Sequence, residues 1–483
     1  MFEVGVYKSR RQQLLTQMSA KGAHGLAIFL GNVEAPQNYR GNDYNFRQDS
    51  SYLYYWGIDE PMFAAILDLD SAQETIYGND VDIDDIIWMG PQPTVASKAL
   101  KAGVETSAPY QDFFKAVETA RVNGRPIHCL PVSRYYNEMT LTNLLHAEQG
   151  AMRKVAPVES AKDIHASEQL VRSVIAMRLV KEQVEIEEID KACDLGYRMH
   201  SAGRDAIVPG KIEQDVVGVM EGVTLGGGWG VSFATICSQN GETLHNHTHH
   251  QVITPGRLMV IDAGAESNTH YASDFTRTYP CSGKYTTKQK EVYDIVYGCN
   301  ELAFQTAKPG VTYRDVHIAT SRYMLQGLKD LGLVQGDVDE MVANGIAGLF
   351  QPHGLGHNMG IDVHDMEDFG EDFVGYDDDQ KRADAIGLGN LRMARRLVPG
   401  HVITDEPGIY FIPALGEYFK QHGLDKGFVN YSKFAEYDHF GGIRLEDDLL
   451  ITEDGCRRLG AKRLPASTEE IEEAMARAAE LRQ

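Results

Sequence analysis

The chain has 483 residues, of which 43% are apolar and 24% charged, values typical of a globular protein with room for two or three domains. Its formal net charge is −23, which disfavours nucleic acid or an anionic membrane as a partner. The first residues contain no apolar segment typical of a signal peptide, and no apolar run is long enough to cross a bilayer. Neither secretion nor membrane insertion is therefore expected.

The cysteines indicate a reducing environment. Six of them are scattered along the chain without any Cys-x-x-Cys pair. This spacing favours reduced thiols and a cytoplasmic location over a disulfide framework or a zinc site built on cysteine.

The first part of the chain alternates short apolar runs with helical segments. GLAIFLGN (25–32) and FAAILDLD (63–70) are predicted to be strands, and RQQLLTQMSAKG (11–22) a helix ended by glycine. This alternation predicts an α/β domain over residues 1–165. Apolar residues then recur at helical spacing, which predicts two linker helices over 166–200, broken near Leu179–Lys181.

The second part of the chain is richer in strands. VSFATI, LMVIDAGA, YASDFTRTYP, HVITDEPGIYFI and GGIRLEDDLLIT are predicted strands, with helices over 288–307 and 312–331 between them. This pattern predicts an α+β catalytic domain over 201–460 with a curved, mainly antiparallel sheet. A C-terminal helix over 461–483 follows, with Ser467 and Glu470 spaced as a capping box.

Four acidic residues stand inside these otherwise apolar strands: Asp262, Asp274, Glu406 and Glu446. A buried ionised carboxylate is costly unless a cation neutralises it. The strands hold too few basic residues to pair with four acids, but two divalent metal ions would suffice. Oxygen ligands with one imidazole, for which we choose His357, suit manganese, cobalt or zinc.

The spacing of the first two acids supports this interpretation. Asp262 and Asp274 are separated by a length that fits a β-hairpin with ESNTH (266–270) as its turn, so the two carboxylates would lie on adjacent strands. Each acid taken alone could equally be an edge residue or a satisfied hydrogen-bond acceptor. The histidine tract HNHTHHQ (245–251) also resembles a metal site, but it is typical of an exposed loop.

The chain resembles a known enzyme family in the order of its motifs. DAG (262–264), SDFTRT (273–278), HGLGHNMGIDVHD (353–365), DEPGIY (405–410) and GIRLEDD (442–448) are similar to those of the prolidase, aminopeptidase P and methionine aminopeptidase family, which has a "pita-bread" catalytic domain. FRQDSSYLYYWGIDEP (46–61) resembles the N-terminal domain of the proline-specific members. The resemblance covers about residues 8 to 460.

The resemblance implies a metal-binding role for five residues. Asp274 and Glu446 would bridge two divalent metals, Asp262 would complete the shell of one ion, and His357 with Glu406 that of the other. The ions, for which we expect manganese, would activate the water that attacks the scissile carbonyl.

The resemblance also implies roles around the substrate. Glu406 would shuttle a proton to the leaving proline nitrogen, and His364 would donate to the developing oxyanion. His245 and His353 would border the substrate, and Arg444 would orient the carboxylates. The glycines of the histidine motif would let the backbone pass close to metal and substrate.

The choice between dipeptidase and aminopeptidase depends on one arginine. GLGNLRMARRLVPG (387–400) resembles a prolidase segment in which the residue matching Arg392 holds the dipeptide carboxylate. Arg392, Arg395 and Arg396 could equally be surface residues of an amphipathic helix, and LGLVQGDVDEMV (331–342) is more similar to aminopeptidase P. We expect Xaa-Pro dipeptidase action, with cleavage of longer Xaa-Pro peptides as the alternative.

Other classes are less well supported. Some relatives on this fold are non-catalytic binding proteins, but such proteins tend to lose ligands, and no ligand-type residue is missing here. Metal-free hydrolysis would leave five ligand-type residues without a purpose. Relatives commonly pair through the N-terminal domain, so the resemblance suggests a homodimer.

Overall fold

A computed structural model describes residues 2–156 and 166–482. The chain forms two compact units. The first contains Met1–Arg178 together with Met366–Phe373, and the second contains Leu179–Asp365 together with Val374–Gln483. Among the described residues, no helix is long and apolar enough to cross a membrane. The four-segment division expected from the sequence stays a prediction.

The first unit is built on a five-stranded sheet that mixes parallel and antiparallel neighbours. One of its interior strands, Leu26–Leu30, pairs antiparallel with the central strand Ala64–Asp68 and parallel with the edge strand Ile127–His128. All five residues of Leu26–Leu30 are buried, because helices cover the sheet. The other strands are Glu74–Gly78 and Ser107–Pro109 in the same sheet, and the separate pair Val155–Ala156 and Ala166–Ser167. The predicted α/β character of this part is confirmed.

Helices of the first unit pack aromatic and aliphatic side chains onto the sheet. Phe113 and Val117, on one of them, are fully buried in the same core as Ile28 and Ile66. The helices are Val4–Ala20, Ser50–Trp56, Ile83–Met89, Val95–Lys101, Tyr110–Val122, Tyr135–Leu145 and Glu168–Leu179, with 3-10 turns at Ala151–Arg153 and Glu367–Phe369.

The second unit contains longer helices, several of which begin at capping boxes. Thr286 and Gln289 cap one helix, and Ser467 and Glu470 cap the last one, as the sequence predicted. The break predicted near Leu179–Lys181 is present, because the next helix begins at Gln183. The helices are Gln183–Ala206, Glu213–Gly227, Thr287–Thr306, Tyr313–Asp330, Val338–Ala343, Pro413–Gln421, Tyr431–Ala435 and Thr468–Leu481, with a 3-10 turn at Ile346–Leu349. The short helix Glu371–Gly375 begins in the chain segment of the first unit and ends in that of the second.

Strands of the second unit pair antiparallel throughout the described residues, as expected. They form short sheets that isolated bridges connect, including Thr276 with Glu446 and Asn358 with Ile403. The strands are Gly230–Val231, Ile236–Ser238, Leu258–Ala263, Ala265–Glu266, Phe275–Pro280, Val402–Asp405, Gly408–Tyr410, Gly442–Arg444, Asp447–Ile451 and Cys456–Arg458.

The long strands predicted around the acidic residues are interrupted at the acids. Asp274 stands just before the strand Phe275–Pro280, while Glu406 and Glu446 each stand between two short strands. Asp262 alone of the four lies within a strand. The apolar runs on both sides made these segments look continuous in the sequence, although the regular strands are broken at or beside Asp274, Glu406 and Glu446.

Candidate metal centre

A β-hairpin carries the first two acids on one face. Asp262 lies opposite Thr276 in the antiparallel pairing, and Asp274 is two residues before Thr276. Since side chains alternate between the faces of a strand, Asp262, Asp274 and Thr276 project to the same side. The strands cross closely beside the acids, because a Cβ on Gly264 would lie 1.8 Å from the carbonyl oxygen of Ser273. The hairpin expected from the spacing is therefore present, with its turn at Ser267–His270.

Glu446 joins this face from a third strand. Its backbone N–H donates to the carbonyl oxygen of Thr276 at 3.0 Å. The Thr276 hydroxyl donates to Glu446 Oε2 at 2.7 Å, which fixes the carboxylate beside the hairpin. Thr276 was not singled out from the sequence, and its position two residues after Asp274 is the signal that could have found it.

His357 and Glu406 reach the same place through a shared crossing. The backbone N–H of His357 donates to the Thr404 hydroxyl at 3.0 Å, and that of Glu406 donates to the carbonyl oxygen of Leu355 at 2.8 Å. A Cβ on Gly356 would lie 2.1 Å from the Thr404 carbonyl oxygen, so glycine is required for the two chain segments to approach. This explains one of the glycines in the histidine motif.

The five ligand-type side chains converge. His357 Nε2 lies 3.4 Å from Asp274 Oδ2 and 3.9 Å from Glu406 Oε1. One ligand atom from each of Asp274, His357 and Glu446 lies within 4.8 Å of the other two, and all three residues are buried. Asp262 is close enough for its negative charge to raise the pKa of the Asp274 and Glu446 carboxyls.

The carboxylates of this cluster repel one another. Burial, followed by the charges of Asp262 and other acids, raises the pKa of Asp274 well above its usual range. Burial and the charge of Asp274 do the same to the pKa of Glu446. Burial raises the pKa of Glu406 to about 7, although the nearby His357 opposes the shift. Such a cluster needs added positive charge to stay ionised at neutral pH.

The residues present fit a divalent metal site. Asp274 Oδ1 is buried yet has no hydrogen-bond partner, which a coordinated cation would remedy. The donor set is four carboxylates and one imidazole, and these are the ligands that manganese, cobalt and zinc accept.

A hydrogen-bonded chain borders the cluster. Arg444 donates through one NH2 group to Asp262 Oδ2 and through the other to the hydroxyl oxygen of Tyr410 at 2.7 Å. His353 Nδ1 lies 2.7 Å from the carbonyl oxygen of Gly354 and therefore carries a proton. Burial lowers the pKa of His353 to about 3, so the ring is neutral and Nε2 accepts from the Tyr410 hydroxyl at 2.9 Å. Tyr410 was missed in the sequence, where it looked like an ordinary strand residue.

The remaining sequence candidates lie around this chain. The His364 ring stacks on the His357 ring, with centroids 3.7 Å apart and planes inclined by 20°. His245 keeps an accessible surface, while the burial of the rest of its ring, together with the charge of Arg444, lowers its pKa. Arg392 is half-buried, and its positive charge acts on Glu406. His353 Nδ1 lies 3.7 Å from Glu406 Oε2.

The interpretation of the histidine tract as an exposed loop is only partly correct. His247 and His250 are exposed, but His249 is buried, with Nδ1 3.1 Å from the carbonyl oxygen of Cys237. The imidazole therefore serves as a structural hydrogen-bonding group, a role that the polar neighbourhood of the tract concealed.

A second charged cluster lies on the opposite face of the same strands. Asp447 accepts from Arg277 at 2.6 Å, from Arg458 at 2.9 Å and from Arg463 at 3.0 Å. These guanidinium groups hold the pKa of the Asp447 carboxyl far below its usual value, against the effect of burial. Arg277 also donates to the carbonyl oxygen of Glu446 at 2.7 Å, so the two faces are connected.

Comparison with known proteins agrees with this geometry. The family model described as "Metallopeptidase family M24" matches residues 187–453, and "Aminopeptidase P, N-terminal domain" matches residues 7–126. The chain is 28% identical to the Xaa-Pro dipeptidase of Rattus norvegicus over 98% of this chain and 94% of that protein. It is 30% identical to a protein of Emericella nidulans named "Probable Xaa-Pro aminopeptidase pepP", over 96% of each.

Solved structures extend the comparison to the fold. Aminopeptidase P from Escherichia coli with the inhibitor Pro-Leu superposes with a TM-score of 0.78 at 27% identity, covering 99% of this chain and 100% of that one. Its zinc-substituted form in complex with product gives a TM-score of 0.77 at 27% identity, covering 99% of each chain. The predicted pita-bread architecture is thus confirmed. The chain belongs to metallopeptidase family M24.

Proposed function

We propose that the enzyme hydrolyses the Xaa-Pro bond at peptide N-termini with two metal ions, and that Xaa-Pro dipeptides are its preferred substrates. The convergence of Asp274, His357 and Glu446 to within 4.8 Å is the observation that carries the metal-dependent reaction. Under this proposal these side chains would hold the two ions, with Asp274 and Glu446 contributing to both, Asp262 to one, and His357 and Glu406 to the other. Manganese is our expectation, with cobalt or zinc as alternatives.

The metal ions would supply Lewis acidity and lower the pKa of an attacking water. Glu406 accepts the proton of that water and passes it to the proline nitrogen as the bond breaks. His364 donates to the carbonyl oxygen that becomes negative. Both groups are held by neighbours, since His364 stacks on His357 and Glu406 faces His353.

The remaining polar residues act on the cluster and the substrate. Arg444 and Tyr410 hold Asp262 and His353 in one hydrogen-bonded chain, which fixes the His353 tautomer. His353 and His245 then border the peptide. Both ring nitrogens of His353 are already hydrogen-bonded, so the neutral ring would border the peptide without adding a charge that repels the metals.

Arg392 supports the dipeptidase preference. Its positive charge favours the ionised form of Glu406, so the guanidinium is within electrostatic range of that carboxylate. An arginine there suits the free carboxylate of a dipeptide, whereas an aminopeptidase must leave that direction open. Aminopeptidase action on longer peptides is the second candidate, favoured by the 30% identical relative and by the aminopeptidase P structures.

The decisive experiment compares kcat/KM on an Xaa-Pro dipeptide and on an Xaa-Pro-Yaa tripeptide with metal-loaded protein. We expect Arg392→Ala to reduce dipeptide cleavage at least about tenfold more than tripeptide cleavage, since a charged hydrogen bond contributes about 1.5–3 kcal/mol. Arg396→Ala is the matched control, because Arg396 is exposed and donates to the carbonyl oxygen of Gly310. Equal losses on both substrates would favour the aminopeptidase, and two inert substrates would refute the peptidase.

A further inference from the structure

The loop between His357 and His364 is fixed unequally at its two ends. At the His357 end, the chain bridges to a strand: Thr404 N–H donates to the His357 carbonyl oxygen at 3.0 Å, and Met359 N–H to that of Val402 at 3.1 Å. The His364 end returns toward the first end, because the next residue, Asp365, folds back onto Asn358. This return is one of the supports that set the position of His364.

The return is made by Asn358 and Asp365. Asp365 N–H donates to the Asn358 carbonyl oxygen at 3.0 Å, and the Asn358 amide donates to the Asp365 carbonyl oxygen at 3.3 Å. One carboxylate oxygen of Asp365 accepts from the backbone N–H of Asp362 at 3.3 Å. The two ends of the loop are thus hydrogen-bonded to each other.

Lys181 connects both ends from outside the loop. Its Nζ lies 3.2 Å from Asn358 Oδ1 and 3.3 Å from Asp365 Oδ2, and only 1% of the Lys181 and Asp365 side chains is exposed. The lysine itself is held in the break between two helices, where its backbone N–H donates to the Gly400 carbonyl oxygen at 2.8 Å. Space inside is tight, since a Cβ on Gly360 would lie 2.7 Å from Asp365 Oδ2.

We propose that Lys181 is a positioning residue that, through Asp365 and Asn358, holds the His364 ring stacked on His357. Burial of the Lys181 ammonium group is costly. Its contacts with the Asp365 carboxylate and the Asn358 amide oxygen offset that cost and fix the separation of the two loop ends. The inference rests on the proposed function for the role of His364, but the ring position that it explains does not depend on activity.

A double-mutant cycle tests the link to His364. We expect Lys181→Met to keep the wild-type metal content, to leave KM within about twofold, and to lower kcat about tenfold to a hundredfold, part of what one lost oxyanion donor costs. In a His364→Ala background the same change should lower kcat less than about twofold further. Equal losses in both backgrounds, or a folded Lys181→Met enzyme with wild-type kcat, would overturn the proposal.

Two further variants separate positioning from general destabilisation. Gly360→Ala adds a methyl group that displaces the Asp365 and Lys181 side chains without removing either charge. Its effect on kcat should therefore be non-additive with that of His364→Ala, and this test remains available if Lys181→Met fails to fold. Met475→Ala, in the buried core of the same unit, should lower the melting temperature and leave kcat unchanged. A fall in kcat for Met475→Ala would show that lost stability alone explains the effect.

An NMR measurement of histidine ring protons gives a readout independent of catalysis. Stacked rings shift each other's signals, and the His364 signal is identified by its absence in His364→Ala. Gly360→Ala and Lys181→Met should move this signal, while Met475→Ala should not. An unchanged signal overturns the proposal even if the wild-type protein cleaves no Xaa-Pro peptide, a result that would refute only the proposed function.

Discussion

Removal of the metal should make the stability of this protein fall as pH rises. Glu406 illustrates the reason, because burial raises the pKa of its carboxyl from 4.5 to about 7 in the metal-free fold. A raised carboxyl pKa means that the folded state holds its proton more tightly than the unfolded chain does. The resulting stabilisation is complete below pH 4.5 and is lost as pH rises through 7.

The magnitude follows from the size of this shift. A difference of about 2.5 pKa units is worth roughly 3 kcal/mol, of which about 2.5 kcal/mol disappears between pH 5 and pH 8. The catalytic unit has roughly 300 residues, so this loss lowers the melting temperature by about 4 °C. Asp274 and Glu446, whose carboxyl pKa values are also raised, add to the fall in the same direction.

The assay is differential scanning calorimetry of chelator-treated and manganese-loaded protein from pH 5 to pH 8. Loaded protein keeps its carboxylates ionised throughout, so the gap between the two melting temperatures should widen with pH. In metal-free Glu406→Gln the amide does not titrate, and the fall should be about 4 °C smaller than in the wild type. Glu473→Gln, on an exposed part of the C-terminal helix, is the control. Parallel curves for metal-free wild type and Glu406→Gln would refute the reasoning.

Three substitutions test other parts of the site. Gly264→Ala should abolish metal binding, measured by elemental analysis, because its methyl group would collide with the Ser273 carbonyl oxygen between the two acids of the hairpin. Asp447→Asn should cost about 3–5 kcal/mol in denaturant unfolding, since it leaves Arg277 without its charged partner in the interior. Arg444→Lys should lower metal affinity about tenfold by titration calorimetry, because an ammonium cannot span the Tyr410 hydroxyl and the carboxylate of the hairpin together. Unchanged metal content, stability or affinity, respectively, would contradict each expectation.

The convergence of these side chains was predictable because acids in apolar segments violate a strong rule. Asp262 after four apolar residues needs an explanation that an acid in a polar loop does not. The hairpin linking it to Asp274 followed from spacing alone. The strand interruptions at Glu406 and Glu446 could not be foreseen, because they depend on which segments cross in three dimensions.

Supporting residues were invisible in the sequence for a related reason. Lys181 is separated by about 180 residues from the loop that it contacts, and a lysine beginning a helical segment is normally exposed. Arg277 looked like one more polar residue in a strand, yet it is fully buried against Asp447. Each partner of such a pair is an ordinary charged residue in its own sequence segment. The pairing itself cannot be predicted until the tertiary structure brings the two segments together.

Glu446 and Asp447, at the start of the strand Asp447–Ile451, face opposite sides, and this arrangement disfavours a shift in the pairing of that strand. A shift of this strand by one residue would turn Asp447, which three guanidinium groups neutralise, toward the candidate metal site. The same shift would turn Glu446 toward those arginines. The ligand position of Glu446 and the ion pairs of Asp447 would be lost together. A buried ion-pair network on the far side of the strand therefore disfavours every shift of the strand by an odd number of residues.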